Sequence, residues 1–435
     1  MSRTLATYLY GSITLLLAFG WSSTAQAIAL VNADAFNLRL GGYARTISGV
    51  QQLRLHIAPA AEQAGFADAD APSGLHAGIV RLEWNSDVGD AVSLQLQNRL
   101  AWRVQSSTGL GQQGAGVGLG VSGVPGRTVD TRTTIVDDAP GRLRLQHEID
   151  RFALRLYLDA IDLTIGRQAI TWGNSNIFLV ADLWTNFSPF ELDTAQKPGI
   201  DAARGIVQLT PDIELDLVLA GRQPLADVFQ GEGDWTYLSV GARTTFFLPF
   251  GDVYTALAKH WDLVMAHAGF SANVDTLKIR GEITQAFDYE REAFDLPRAT
   301  VGLDWFSPAL MVSVEAHMNG IGTADAQNAL DTPRTSRALA RGETYLLGRY
   351  YLGTSVVYTP WQPIRVGVTA LGNVTDPSVM LTGFAGYSPS ANIELSLGAF
   401  AGLGERPNVS LTGFDVTSEY GTYGELYYFQ MAAFF

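Results

Sequence analysis

Apolar and polar side chains alternate over many short segments of this chain. In residues 92–104 the apolar side chains fall on one face and the amide, hydroxyl or charged ones on the other: Val92, Leu94, Leu96, Leu100, Trp102 and Val104 against Ser93, Gln95, Gln97, Arg99 and Arg103. A period of two is that of a β-strand. One apolar face and one charged face is what a strand between lipid and water requires. The pattern recurs at residues 154–159, 213–219, 277–283, 310–317 and 393–397.

The apolar parity changes at two places along these strands. The first is near Asp150-Arg151, and the second is at Gly166, where Arg167 would otherwise face lipid. One extra residue in a strand restores the facing of the residues that follow. We therefore predict a β-bulge at each place.

The connections between the predicted strands are of two kinds. The short ones lie at residues 86–89, 159–160, 211–212, 249–252, 274–275, 307–308, 360–363 and 388–391. They alternate with mostly longer and more polar segments at 47–75, 105–140, 174–200, 225–234, 288–297, 319–343 and 404–421. Short turns at one end and long loops at the other are typical of an outer-membrane barrel. The count predicts an all-β fold, a single transmembrane antiparallel β-barrel of about 18 strands with about 16 as the alternative, since bacterial barrels have even strand numbers.

Aromatic residues lie at the ends of the predicted strands. Those beside short turns are Trp84, Trp305, Tyr358 and Trp361, and those at the opposite ends are Trp102, Trp235 and Trp261. Two aromatic girdles would follow. The alternative fold is a large soluble β-sandwich or propeller, but such folds rarely need so many long strands with aromatic ends.

The N-terminus resembles an export signal. It has a basic start at Arg3, an apolar region at 13–19 and a small-residue cleavage pattern ending at Ala27, which predicts a signal peptide over residues 1–27 and one barrel domain over 28–435. The remaining chain has no continuous apolar run long enough for a transmembrane helix, although 47% of the protein is hydrophobic. Because there is no cysteine, no disulfide stabilises the fold.

The charge of the chain disfavours nucleic acid as a partner. The sequence has 29 Lys and Arg residues against 43 Asp and Glu residues, and removal of the signal takes away one Arg, so the mature charge is 28 − 43 = −15. No basic face is then available to neutralise phosphates.

An irregular segment between residues 174 and 200 carries many large apolar side chains. They are Ile177, Phe178, Leu179, Val180, Leu183, Trp184, Phe187, Phe190 and Leu192. A loop of this composition gains nothing from facing water. We therefore predict that the segment folds into the barrel and that its charges line a pore.

The predicted pore-lining and constriction residues come from the polar strand faces and from this segment. They are Arg99, Arg103, Arg155, Arg167, Asp182, Glu191, Asp193, Lys197, Asp201, Arg204 and Arg222. Opposed rows of cations and anions at a constriction orient dipolar solutes and select by charge and size. The alternative is that these arginines only pair with neighbouring carboxylates and keep the lumen wall rigid.

Two stretches resemble known bacterial barrels. Gly166, Arg167, Gln168, Trp172 and Gly173 form a Gly-Arg-Gln-x-x-x-Trp-Gly run that resembles a motif in a group of porin-like and export-channel barrels. By the predicted strand order the 174–200 segment joins strands five and six, where general porins carry the loop that folds into the lumen. The terminal Phe435 is similar to the C-terminal aromatic signal that the barrel-assembly machinery recognises. These resemblances imply a channel and name no substrate.

Patterns for other chemistry are weak. The six histidines include no H-E-x-x-H motif, and no G-x-S-x-G run occurs. The Gly-rich run 109–126 lacks the strand and helix of a phosphate-binding loop, and the pair Asp68 and Asp70 lacks the turn of a calcium site. We predict no catalytic residue, no metal site, no cofactor and no enzymatic activity.

The sequence thus predicts a porin-like channel of the bacterial outer membrane for passive diffusion of small hydrophilic solutes, narrowed by the 174–200 segment. An export conduit for an anionic polysaccharide is the main alternative and would need an arginine-dominated lumen. A barrel enzyme and a plugged structural barrel are further alternatives. The expected partners are outer-membrane lipid and lipopolysaccharide, the barrel-assembly machinery through Phe435, small hydrophilic solutes and, as an open question, further copies of the chain.

Overall fold

One antiparallel sheet dominates the computed structural model, which describes residues 27–33, 35–63, 71–105, 128–138, 143–184, 196–222, 234–325, 336–411 and 414–435. The sheet has 21 strands. Three short strands lie outside the continuous wall, at Ile28–Ala33, Thr133–Asp137 and Ala293–Phe294, which leaves 21 − 3 = 18 wall strands. The predicted antiparallel barrel and its strand number are confirmed.

The wall strands follow one another around the barrel in chain order. They are β1 (Phe36–Gln52), β2 (Ser73–Val88), β3 (Val92–Gln105), β4 (Leu143–Tyr157), β5 (Asp162–Gln168), β6 (Ile200–Thr210), β7 (Ile213–Gly221), β8 (Leu238–Leu248), β9 (Gly251–His260), β10 (Leu263–Val274), β11 (Leu277–Asp288), β12 (Arg298–Phe306), β13 (Leu310–Met318), β14 (Tyr350–Trp361), β15 (Ile364–Asn373), β16 (Ser378–Ser390), β17 (Ile393–Leu403) and β18 (Glu425–Phe434). The barrel closes because β18 pairs with β1, from Tyr43 opposite Phe434 to Gln52 opposite Glu425.

The remaining elements are short. They are the helices α1 (Pro59–Ala61) and α2 (Arg337–Ala340), the 3₁₀ turns Trp235–Tyr237 and Tyr420–Thr422, and a separate small sheet of His56–Ile57, Asn408–Val409 and Phe414–Asp415. Within the described part of the chain, no helix has the length and apolar character needed to cross a membrane.

The alternation of side chains sets the inside and the outside of the wall. On β11, Ile279 and Ile283 are 38% and 48% exposed, whereas Arg280, Glu282 and Thr284 between and beside them are at most 4% exposed. The apolar face therefore points outward and the polar face points into the barrel. This is the reverse of a soluble sandwich, whose apolar faces meet in a core.

The first predicted bulge is confirmed, whereas the second prediction was wrong. Gln97 pairs with Arg151 and Asn98 with Ile149, so Asp150 is the extra residue of β4. Pairing of β5 is continuous through Gly166 on both sides. Gly166 instead has a φ of +117°, and a Cβ there would lie 2.2 Å from the carbonyl oxygen of Phe152. Among the amino acids only glycine readily adopts this backbone conformation. The two residues that follow it, Arg167 and Gln168, are both buried.

The two ends of the barrel differ as predicted, with exceptions. All connections at one end are tight turns, but at the long-loop end β9–β10 (261–262) and β15–β16 (374–377) are also short. Trp305, Tyr358 and Trp361 are exposed at the short-turn end, at 40%, 45% and 62%. The prediction that Trp261 belongs to a girdle was wrong, because its φ of +54° in the short turn points its side chain inward, where it is 8% exposed.

Candidate functional site

The connection between β5 and β6, the fifth and sixth strands as predicted, leaves the wall after Gln168 and returns at Ile200. We call residues 169–184 the inserted segment. Its side chains Trp172, Phe178 and Trp184 are at most 3% exposed. The predicted constriction residues Glu191 and Asp193, together with Phe187, Phe190 and Leu192, lie outside the described residues.

Two carboxylates on the wall hold the backbone of the inserted segment. Glu282 of β11 accepts the N–H groups of Asn174 and Ser175, the latter at 3.2 Å, and the Ser175 hydroxyl at 3.1 Å. Glu315 of β13 accepts the N–H groups of residues 176, 177 and 178 at 2.7, 3.0 and 2.9 Å. An irregular segment has no ladder to pair its buried N–H groups. The two acids supply these acceptors, as charge-assisted bonds, for five consecutive residues.

The two ends of the segment pack together against mostly small side chains of the wall. The apolar cluster consists of Ile170, Trp172, Leu183, Trp184, Ile200, Ala202, Val218, Ala220, Ala256, Ala258, Leu263, Met265 and Ala286. Trp172 and Trp184 meet edge to face, with ring centroids 4.6 Å apart. A Cβ on Gly241 would lie 2.5 Å from the Trp172 ring, so the wall leaves the space that the indole fills.

Each indole N–H of this cluster has a polar partner on the wall. Trp172 Nε1 donates to Asp216 of β7 at 2.9 Å, and Trp184 Nε1 donates to the Ser239 hydroxyl of β8 at 3.0 Å. A buried indole without such an acceptor would lose free energy. These bonds fix both rings to the wall.

The tip of the segment packs on the opposite set of strands. Phe178 stacks on His317 of β13, with centroids 4.9 Å apart and planes 12° apart. It belongs to a second cluster with Leu346, Tyr351, Leu371, Met380, Phe400, Tyr420 and Leu426. The two apolar clusters that include the segment contain residues of wall strands from β6 to β18, so the segment spans the interior of the barrel.

Asp182 and Lys197 form an ion pair within the β5–β6 connection. Asp182 is 2% exposed and also accepts the Trp172 N–H at 3.3 Å. Burial raises the pKa of the Asp182 carboxyl, and the Lys197 ammonium opposes that rise. The pair ties the outgoing part of the connection to the returning part.

Arg167 anchors the point where the chain leaves the wall. Its guanidinium donates five hydrogen bonds, two of them to Asp201 of β6 at 2.8 and 3.0 Å. The others go to the Thr131 hydroxyl at 2.7 Å, the Ile149 carbonyl at 2.7 Å and the Val129 carbonyl. The side chain of Arg167 is 3% exposed. The five bonds use all five N–H donors of its guanidinium within the protein.

The other predicted arginines differ in their surroundings. Arg204 of β6 makes a bidentate pair with Asp216 at 3.0 and 2.7 Å. Arg99 of β3 lies 3.7 Å from Glu148 of β4. Arg103 is half-buried and Arg155 is exposed, and neither makes a hydrogen bond or ion pair with the described residues of the inserted segment.

Arg222 directly follows β7 and is 4% exposed. It donates to the carbonyl oxygen of Trp184 at 3.0 Å and lies over the Trp261 ring, 5.0 Å from its centroid. Burial lowers the pKa of Arg222 to about 10, and the Glu343 carboxylate opposes this change. Arg222 thus fixes the last described residue of the inserted segment.

Sequence reasoning missed Glu282 and Glu315, which hold the segment, and Arg280, which is 1% exposed between them. Arg280 pairs with Asp304 at 2.7 Å and with Glu315 at 2.9 Å. The sequence signal for these acids was that each of two neighbouring hairpins carries a glutamate at an inward-facing position. That signal gives the facing of each acid but not its partner across the interior.

The described residues offer little for catalysis. They contain no group of three or more His, Asp or Glu residues that could hold a metal ion. His260 lies 2.9 Å from the Ser239 hydroxyl, but both residues are fully buried and His260 Nε2 has no hydrogen-bond partner among them. The pair therefore lacks both the third member and the access that a hydrolytic triad needs.

Solved structures of bacterial porins resemble this chain in fold. A BenF-like porin from Pseudomonas fluorescens Pf-5 is 9% identical, with 92% of this chain and 98% of that chain covered and a TM-score of 0.55. Pseudomonas aeruginosa OccD3 (OpdP) is 9% identical, with 96% and 94% covered and a TM-score of 0.49. No protein-family model and no curated protein matches the sequence. The antiparallel 18-strand barrel of this chain is therefore a fold that it shares with the BenF-like porin.

Proposed function

We propose that the chain is an outer-membrane channel for passive diffusion of small hydrophilic solutes, narrowed by the β5–β6 connection. The observation that carries this proposal is the inserted segment itself, whose backbone is held by Glu282 and Glu315 inside a barrel with an apolar exterior. In the proposed channel, a segment fixed in this way would keep the width of the passage beside it constant. Such a passage selects solutes by size and charge without a cofactor.

The charges of the barrel interior support diffusion rather than export of a polyanion. Inward arginines stand beside carboxylates: Arg81 with Asp150, Arg204 with Asp216, and Arg280 with Asp304 and Glu315. A conduit for an anionic polysaccharide needs unpaired cations along its length. The mixed interior is typical of a general porin, and the proposed lining comprises Arg99, Arg103, Arg155, Asp201 and Arg204, with Arg167, Asp182, Lys197 and Arg222 holding the segment.

Recording from planar bilayers tests the proposal. The native protein should give discrete single-channel steps, and Arg204→Glu and Arg99→Glu should shift the reversal potential in a salt gradient toward cation selectivity. Arg406→Glu is the matched control, because Arg406 is exposed on the β17–β18 connection. If folded protein gave no current in the bilayers, the channel proposal would be contradicted. If both variants kept the native selectivity, Arg204 and Arg99 would not line the channel.

The remaining partners follow from the proposed location. Lipid and lipopolysaccharide would contact the apolar exterior, and Phe435 would serve the assembly machinery. The Gly-Arg-Gln-x-x-x-Trp-Gly run would mark the point where the segment turns inward, as Arg167 and Trp172 do in this chain. Association into oligomers stays a prediction.

A further inference from the structure

A cavity of about 520 Å³ lies at the long-loop end of the barrel. It is enclosed by β11, the β11–β12 connection and the β13–β14 connection. Its lining includes five arginines, Arg291, Arg298, Arg337, Arg341 and Arg349. It also includes four acids, Asp262, Asp288, Asp295 and Glu343, so the lining has an excess of 5 − 4 = one positive charge.

Four of the five arginines have partners within the protein. The contacts are Arg291 with Asp288 and Asp295 at 2.5 and 2.6 Å, Arg337 with Asp262 and with Glu290 at 2.9 Å, Arg341 with Asp262 and with Glu343 at 3.8 Å, and Arg349 with the Gly322 carbonyl at 3.1 Å. The acids of the lining are therefore engaged by these arginines. Two of them, Glu343 and Asp295, also act on the fifth arginine, Arg298, through their charge and offset part of its positive charge.

Arg298 is the exception. Its side chain is 8% exposed at the start of β12, and it makes no hydrogen bond or ion pair with any residue that the structure describes; the Glu343 and Asp295 carboxylates act on it through their charge alone. A guanidinium has five N–H donors, and leaving them unpaired in a buried position is unfavourable. A ligand in the adjoining cavity would satisfy them.

Arg298 also lies next to the inserted segment. A second, smaller cavity of about 50 Å³ has Arg298 on one side and residues 177–180 on the other. Arg298 thus lines both the large cavity and the small one beside the inserted segment. A solute held at Arg298 would be placed directly before the inserted segment.

We infer that the cavity binds a small oxyanion, the carboxylate of an organic acid or inorganic phosphate, on the guanidinium of Arg298. The planar fork of arginine matches both groups with two parallel hydrogen bonds. The volume is in the range of small-molecule sites. Arg291 and Arg337, about half exposed at the rim, attract anions toward the cavity. The inference names a preferred solute class for the proposed channel and rests on that function.

Isothermal titration calorimetry on the detergent-solubilised barrel tests the site, with sodium acetate and sodium phosphate titrated separately against a sodium chloride background. The native protein should bind at least one of the two anions saturably. Arg298→Gln should weaken that binding at least tenfold, and Arg298→Lys, which keeps the charge but loses the fork, should give an intermediate affinity. Arg365→Gln should bind as the native protein does, because Arg365 lies at the short-turn end and pairs with Glu394.

Two results would overturn the inference: no saturable binding of either anion by the native protein, or native affinity in Arg298→Gln. Heat-modifiable migration in SDS gels verifies that each variant is folded. Calorimetry needs no current, so the two proposals fail separately. Anion binding that depends on Arg298, without any current in bilayers, would contradict only the channel proposal. Current without anion binding would contradict only the anion site.

Discussion

At the scale of single residues, Glu315 is the acceptor on which the tip of the inserted segment depends. Its carboxylate accepts three backbone N–H groups, of residues 176, 177 and 178. In Glu315→Gln an NH2 group, which cannot accept a hydrogen bond, replaces one carboxylate oxygen, and each charge-assisted bond contributes about 1.5–3 kcal/mol. We expect a looser tip, a larger single-channel conductance and more open-channel noise.

The matched control for that change is Glu394→Gln, since Glu394 pairs with Arg365 near the short turns and contacts no part of the segment. It should leave the current trace unchanged. Native conductance and noise in Glu315→Gln would contradict the role given to this carboxylate.

Glu419, on the β17–β18 connection, gives the molecule a dependence on pH. It is fully buried, accepts bonds from Asn373 at 2.7 Å and from the Tyr351 hydroxyl, and lies near Asp376. Burial is the main cause that raises the pKa of Glu419 from 4.5 to about 7. The folded barrel therefore binds this proton more tightly than the unfolded chain does. Its stabilising contribution is complete below pH 4.5 and is lost as the pH rises through about 7.

Urea unfolding in lipid vesicles measures this contribution. Between pH 8 and pH 5 the free energy of unfolding should gain about 2–3 kcal/mol from this group. The gain should disappear in Glu419→Gln. It should persist in Glu405→Gln, because Glu405 is exposed on the same connection. An equal gain in native protein and Glu419→Gln would assign the pH dependence to other groups.

At the scale of elements, the bulge at Asp150 keeps the apolar side chains of both halves of β4 on the outer face of the barrel. Deletion of Asp150 would turn either the half with Glu148 or the half with Phe152 to the wrong face. We expect the deletion to abolish the folded, heat-modifiable form. Asp150→Ala, which keeps the number of residues in β4 but removes the carboxylate that pairs with Arg81 at 2.6 Å, should fold with reduced stability. Folding of the deletion variant with native mobility would show that the bulge is dispensable.

The alternation predicted most elements because nearly every strand has the same two faces, an apolar one on the outer surface of the barrel and a polar one toward its interior. It failed where a single backbone angle decides the facing, as at Gly166 and Trp261. It also gave the inward acids Glu282 and Glu315 without their partners, which lie more than a hundred residues away in sequence. Composition showed that the inserted segment is packed, but the surface that receives it depends on how the whole wall curves.

At the scale of the whole molecule, closure of the barrel depends on a seam where its two ends meet. The Gly42 N–H donates to the Phe435 carbonyl at 2.9 Å, and the Phe435 N–H donates to the Gly42 carbonyl at 3.0 Å. Gly42 has a φ of +153°, and a Cβ there would lie 2.1 Å from the Arg81 carbonyl oxygen on the next strand. A side chain at this position would push β1 away from β2 at the point where β1 must also receive the C-terminus.

We therefore expect Gly42→Ala to lower the yield of folded barrel strongly in refolding from urea into lipid vesicles, measured as the heat-modifiable fraction. Gly386→Ala on β16 is the control, because the atom nearest to the new Cβ, the Arg365 carbonyl oxygen of β15, would lie 3.6 Å away, which is an ordinary contact. A barrel tolerates no open edge in lipid, since each unpaired backbone group there costs several kcal/mol. The loss should therefore appear as unfolded protein rather than as a leakier channel. Equal folded yields for the two variants would mean that the seam closes without this glycine.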